Sequence, residues 1–177
     1  MVLTRRNALL LAAGLASGPI SFAQSLAAPN VVAITPLLVT SGQPSTQSLA
    51  RLGQLGFEAV IYLAPSSVSD AVADEPELLA KQGIEFVHIP IPFGSPQEGH
   101  FLAVSAALTR LQHKKVLVHC QVNMRASSMV FLHRVLRGHE SPELAYDAVA
   151  KVWSPSRAWR ELLLTQLRKH NVNFRPY

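Results

Sequence analysis

Hydrophobic positions along the chain fall into short blocks with two different spacings. Val31 to Val39 is apolar and β-branched and predicts a strand, with Pro36 inside it pointing to a sheet edge. Residues 59–63, 85–91 and 116–119 are three further apolar runs, each short and β-rich enough to predict a strand. Phe86, Val87, Ile89 and Ile91 supply the apolar side chains of the second run, and Pro90 and Pro92 end it. Helical spacing separates these blocks. A helix is predicted from Thr46 to Leu55, capped by Ser45 and stopped by Gly56, and a short one is bracketed by Pro76 and Gly83. Phe101, Val104, Leu108 and Leu111 mark one face of a longer helix. Three helices follow the last strand. Met129 to Leu136 is apolar almost all round, which predicts a central helix. Ser141-Pro142 caps the next, and Pro155 opens the last, with Trp159, Leu162, Leu163 and Leu167 on one side. Strand and helix alternate and then helices run on. This order predicts an α/β domain with a central, mostly parallel sheet flanked by helices.

Residues 1–23 do not fit this pattern. Arg5 and Arg6 precede an apolar run from Ala8, and Ser21-Phe22-Ala23 forms a small-residue cleavage site. That is the layout of a bacterial export signal, and Thr4-Arg5-Arg6 with Leu9 and Leu10 resembles a twin-arginine leader. The predicted organisation is a leader over 1–23, a linker over 24–30 and one domain over 31–177, with the mature protein in the periplasm. A length of 177 residues suits one domain, and 49% hydrophobic with 15% charged residues suits a folded one. No stretch after the leader approaches the ~20 apolar residues that span a bilayer. Of the net charge of +5, Arg5 and Arg6 carry two, which leaves the body with +3. No Lys/Arg run with interleaved aromatics occurs, which argues against nucleic-acid binding.

The single cysteine excludes a disulfide framework and a cysteine-rich zinc site. Its position is informative. Cys120 follows the apolar run Val116–His119 and precedes the helix, in the order His119-Cys120-Gln121-Val122-Asn123-Met124-Arg125-Ala126-Ser127. A strand-to-helix turn leaves backbone N–H groups converging on one spot, and the helix dipole adds positive potential there. A thiol in that ring is favoured as the thiolate. Arg125 can fold its planar guanidinium over the same spot and hold two oxygens of a tetrahedral anion. Taken singly, Cys120 and His119 would pass for ordinary core residues. Together with the arginine they form an anion-handling site.

These residues resemble the signature of the cysteine-dependent tyrosine and dual-specificity phosphatases, in a bacterial branch with a shortened loop. Four residues separate Cys120 from Arg125, one fewer than the usual five, and Ala126 stands where a hydroxyl residue is usual, with Ser127 one step later. The resemblance extends over Ser41–Pro44, Gly56–Leu63, Val87–Ile91 and Val152–Pro155. It implies a dual-specificity-phosphatase-like fold and two-step hydrolysis of a phosphomonoester without a cofactor or metal. The substrate would be a phosphorylated protein or a small phosphoester. Cys120 would become a phosphocysteine, while Arg125 and the amides of Gln121, Val122, Asn123, Met124, Ala126 and Ser127 would hold the phosphoryl oxygens. His119 would orient the loop, and Ser127 would stabilise the leaving thiolate. Such enzymes also use an acid, commonly an aspartate in the loop before the helix of Phe101. That loop, Pro92–His100, has none. Glu98 and His100 are the nearby candidates, with Asp70 and Asp74 in an earlier loop as further ones. Loop length keeps a second class open, because the six positions from Cys120 to Arg125 match the cradle of rhodanese-type sulfurtransferases. A non-catalytic phosphate-binding module is a third.

Overall fold

The computed structural model describes residues 26–177, so the leader expected over 1–23 lies outside the described residues. A five-stranded sheet forms the centre, in the order β1-β2-β5-β3-β4. Its strands are β1 (Val32–Thr35), β2 (Leu38–Ser41), β3 (Ala59–Tyr62), β4 (Glu85–His88) and β5 (Val116–His119). Only β1 runs antiparallel, and it sits at the edge. The helices are α1 (Thr46–Leu49), α2 (Glu75–Ala80), α3 (Glu98–Arg110), α4 (Met124–Leu136), α5 (Pro142–Ala150) and α6 (Arg157–Lys169). This is the mostly parallel, helix-flanked architecture expected.

The strand expected over 85–91 ends at His88, and two other elements differ more from the hydrophobic pattern. The single strand expected over Val31–Val39 is a hairpin, β1 and β2, folded about Pro36. Proline has no N–H to give to a ladder, and the Leu37 N–H turns back to Thr35 Oγ1 at 3.2 Å, so the run breaks there. The helix expected over Thr46–Leu55 stops at Leu49 and resumes as a 3₁₀ turn over Gly53–Leu55. Gln82 is the reason. Its Nε2 donates to Leu49 O at 2.8 Å and its Oε1 accepts from Gly53 N at 2.9 Å, so the backbone groups a longer helix would have paired are satisfied by a side chain. Gly56 closes this segment at φ 79°, the left-handed region that favours glycine.

The sheet separates two cores. Val116 and Val118 of β5 face a large cluster with Phe101, Phe131 and Trp159, while Leu117 faces a smaller one with Leu49, Leu52, Phe57 and Leu79. β5 is buried on both faces, as a central parallel strand must be. α4 is buried on nearly every side, so its expected central place is observed, although it starts five residues before Met129. Residues 26–30, expected as the end of a linker, pack onto the domain. Leu26 is buried in the smaller core, and Pro29 O accepts from Gly42 N at 2.6 Å. Among the described residues, no helix is long and apolar enough to cross a membrane.

Candidate active site

The loop between β5 and α4 lies at the carboxyl ends of the parallel strands, where an open α/β sheet gathers its ligands. Two features fix its path. Asn123 takes a left-handed conformation (φ 71°) at the helix start, a region Asn tolerates better than most residues. Its Nδ2 donates to Asn30 O at 2.6 Å and to Thr40 Oγ1 at 3.0 Å, which ties the turn to β2. On the other side, Gln43 N donates to Gln121 O at 2.9 Å, and Gly42 bridges to Val122. The approach is close enough to demand glycine, since a Cβ on Gly42 would meet Gln121 O at 2.6 Å and Pro29 Cβ at 2.8 Å. The first backbone bond of α4 is Ser127 N to Asn123 O, so the amides of Met124, Arg125 and Ala126 have no partner within the helix.

Cys120 is fully buried at the start of this loop. Arg125 is buried too, at 4% exposure, and its place is set by three contacts. Its Nε donates to Ile91 O at 2.9 Å, its Nη1 reaches Gln121 Oε1 at 3.4 Å, and its guanidinium lies 5.1 Å from the Phe93 ring centre. Arg125 is therefore folded back against Gln121, the residue after Cys120. Ala126 and Ser127 are buried, with Ser127 Oγ donating to Met124 O at 3.3 Å, while Val122 is exposed at the mouth.

His119 is held by a group the sequence pattern did not single out. Its Nε2 donates to Glu75 Oε1 at 2.7 Å, and Gln43 Nε2 donates to Glu75 Oε2 at 2.9 Å. Glu75 is only 2% exposed. A carboxylate is expensive to bury without partners, and here both oxygens have one. The signal was masked because Glu75-Pro76 reads as an ordinary helix start, where an acid and a proline are both common. Tyr62 stacks on His119 at 4.7 Å and on His88 at 5.0 Å. Burial pushes the Tyr62 phenol up to about 12, with the negative charges of Glu75 and Asp70 adding to the effect, Arg125 opposing it and Cys120 adding a little. One hydroxyl thus feels Glu75, Asp70, Arg125 and Cys120 together.

The candidate acids are placed differently. Glu98 is half-exposed at the start of α3, with Oε2 2.5 Å from Lys169 Nζ on α6, and that hydrogen bond holds its carboxyl below the ordinary range. His100 Nδ1 accepts from Gln97 N at 3.0 Å as part of the helix cap. Asp70, by contrast, accepts from Gln121 Nε2 at 2.9 Å, on the residue next to Cys120. Trp159 is buried and donates from Nε1 to Phe93 O at 2.8 Å, which pins the loop after β4. Among the described residues, no group of three or more His, Cys, Asp or Glu is arranged to hold a metal ion.

The DUF442 phosphatase of Shewanella putrefaciens CN-32 superposes on this fold with a TM-score of 0.74 and 30% identity, over 81% of this chain and 92% of the other. A second structure of that protein gives 31% identity over 84% and 97% of the two chains. This chain belongs to that family. Its members are cysteine-dependent proteins of the tyrosine and dual-specificity phosphatase type. Two more distant structures share the fold. PTPMT1 in complex with PI(5)P has a TM-score of 0.67 at 19% identity, over 80% of this chain and 96% of that one. The kinase associated phosphatase, solved with its catalytic-site cysteine replaced by serine, has 0.63 at 18%, over 77% and 89%. No family model and no curated protein matches the chain.

Proposed function

We propose that this protein hydrolyses phosphate monoesters through a phosphocysteine on Cys120. The observation that carries the reading is the His119-Cys120…Arg125 loop, seated on a buried Glu75–His119 support in a chain of a phosphatase family. The Cys120 thiolate attacks phosphorus, forming an S–P bond as the bond to the leaving oxygen breaks. Water then attacks the same phosphorus, releasing inorganic phosphate and returning the thiolate. Phosphoryl transfer demands positioning and charge stabilisation above all. Arg125 supplies a planar fork for two phosphoryl oxygens, and the free amides at the start of α4 supply further donors. His119, held by Glu75, orients the loop. The substrate is a phosphorylated protein or a small phosphoester. Residues 1–23 act as an export signal, so the reaction takes place in the periplasm.

Purified protein tests the chemistry. Release of phosphate from an aryl phosphate, competitive inhibition by tungstate and complete loss in Cys120→Ser are expected. Arg125→Lys keeps the charge but loses the fork, and should cost roughly 10²-fold or more in rate. The six-position loop favours sulfur transfer as a second reading, and it makes a different forecast. Thiocyanate formation from thiosulfate and cyanide that survives Arg125→Lys, without phosphate release, would replace the phosphatase reading. Tungstate binding without either activity would leave a phosphate-binding module. N-terminal sequencing of fractionated protein tests export, for which a start near Gln24 is expected.

A further inference from the structure

Breaking a P–O bond to a poor leaving group requires a proton at the departing oxygen. The loop after β4 offers only Glu98 as a carboxylate, and that group is ion-paired with Lys169 on α6. The opposite side of the mouth is formed by the loop between β3 and α2. Turns at Val68 and Ala71 shape it, with Val68 N donating to Pro65 O at 3.2 Å and Ala71 N to Val68 O at 3.1 Å. At its tip, Asp70 Oδ1 accepts from Gln121 Nε2, and Gln121 Oε1 in turn faces Arg125 Nη1. A line of side chains therefore runs from the carboxylate of Asp70 to the guanidinium above the loop. Asp70 is exposed, so a leaving group projecting from the mouth can reach it.

We propose that Asp70 is the general acid and base of this site, steered by Gln121. This rests on the phosphatase reading above. In the first step, the Asp70 carboxyl gives its proton to the leaving oxygen as the P–O bond breaks and the S–P bond forms. In the second, the Asp70 carboxylate takes a proton from the attacking water as the S–P bond breaks. The aspartate ends as it began, and no other reactant is consumed.

The test compares two substrates in three full-length proteins. Asp70→Asn keeps an oxygen to accept from Gln121, so the mouth keeps its shape and only the proton is lost. Its expected effect is a fall of at least about 10²-fold on an alkyl phosphate and under about 10-fold on para-nitrophenyl phosphate, whose leaving group needs no proton. Tungstate inhibition should stay within about 3-fold of wild type, which reports an intact loop. Equal losses on both substrates, or no loss, overturn the proposal and make Asp70 a support for Gln121 or a bystander. The leaving-group-dependent loss appearing in Glu98→Gln instead of Asp70→Asn also overturns it. A wild-type protein that releases no phosphate from either substrate overturns the phosphatase reading itself, and the proposal with it.

Discussion

The floor and the rim of the candidate site are built on opposite principles. At the floor, His119, Glu75 and Asn123 are at most 2% exposed, and each is tied by side-chain hydrogen bonds to a neighbouring element. At the rim, Phe93 is 42% and Val122 39% exposed, and Asp70 is held by a single side-chain bond. The difference follows from solvation. A buried amide without a partner costs about 1–3 kcal/mol and a carboxylate more, so a floor residue can hardly change without its partners. Rim residues have water as a partner and can vary one at a time. The floor therefore sets whether the loop exists, and the rim sets what it accepts.

The largest expected effect breaks the floor. Glu75→Leu removes the acceptor of both His119 Nε2 and Gln43 Nε2 in a site sealed from water. His119 Nε2 is left without an acceptor and Gln43 Nε2 with only the long contact to Pro44 O at 3.5 Å, for a loss of about 2–6 kcal/mol in urea unfolding. Glu75→Gln keeps one acceptor oxygen and should lose about half as much. A Glu75→Leu protein within about 1 kcal/mol of wild type would mean that the floor is not over-determined, and the contrast with the rim would fail.

This contrast also explains what could be read from the sequence. The motif and the central strand were legible, because Cys120, Arg125 and the run Val116–His119 are local and carry strong patterns. β5 occupies the expected residues. The floor was not legible, because its partners lie far apart in the chain. Glu75 meets His119 across 44 positions, and Asn123 meets Thr40 across 83. No periodicity reports such a pair. The same holds for the truncated α1, whose end is set by Gln82, 33 residues beyond Leu49. The edge position read from Pro36 holds for β1 alone, because Pro36 lies in the turn and β2 after it is internal, joined to β5.

A smaller effect sharpens the comparison from the rim. Phe93 places its ring against the Arg125 guanidinium and makes tilted contacts with Trp153 and Trp159, both 5.8 Å away. Its backbone carbonyl, not its ring, receives the Trp159 indole N–H, so Phe93→Ala leaves the loop anchored. The lost cation–π contact at a half-exposed position is worth about 0.5–1 kcal/mol. With the two tryptophan contacts also lost, stability should fall by about 1–3 kcal/mol, while KM for an aryl phosphate rises several-fold and kcat stays near wild type, because the ring serves binding and not the chemical step. A collapse of kcat in Phe93→Ala would show that the rim shares the floor's work.

The smallest expected effect comes from a titrating group remote from both regions, and it separates fold stability from the site. His133 lies on α4 with Nδ1 3.0 Å from Ser105 Oγ on α3. Burial first, and the nearby positive charge of Arg137 second, hold the imidazole below its ordinary 6.5. The unfolded chain therefore binds a proton at this histidine at a higher pH than the folded protein does. Stability from the neutral ring is fully present above about pH 6.5 and is lost as the pH falls below it toward the folded value. Glu85, Glu98 and Glu143, whose carboxyls lie below their ordinary 4.5, act on stability only in a more acidic range. Between pH 7 and pH 5.5 the two contributions are thus separable. The melting temperature of the wild type should fall across that interval, and His133→Gln, which cannot titrate, should flatten the curve while leaving tungstate inhibition at pH 7 unchanged. An unaltered slope in His133→Gln would assign the acid sensitivity to another group, and a changed inhibition constant would tie the far end of α4 to the floor after all.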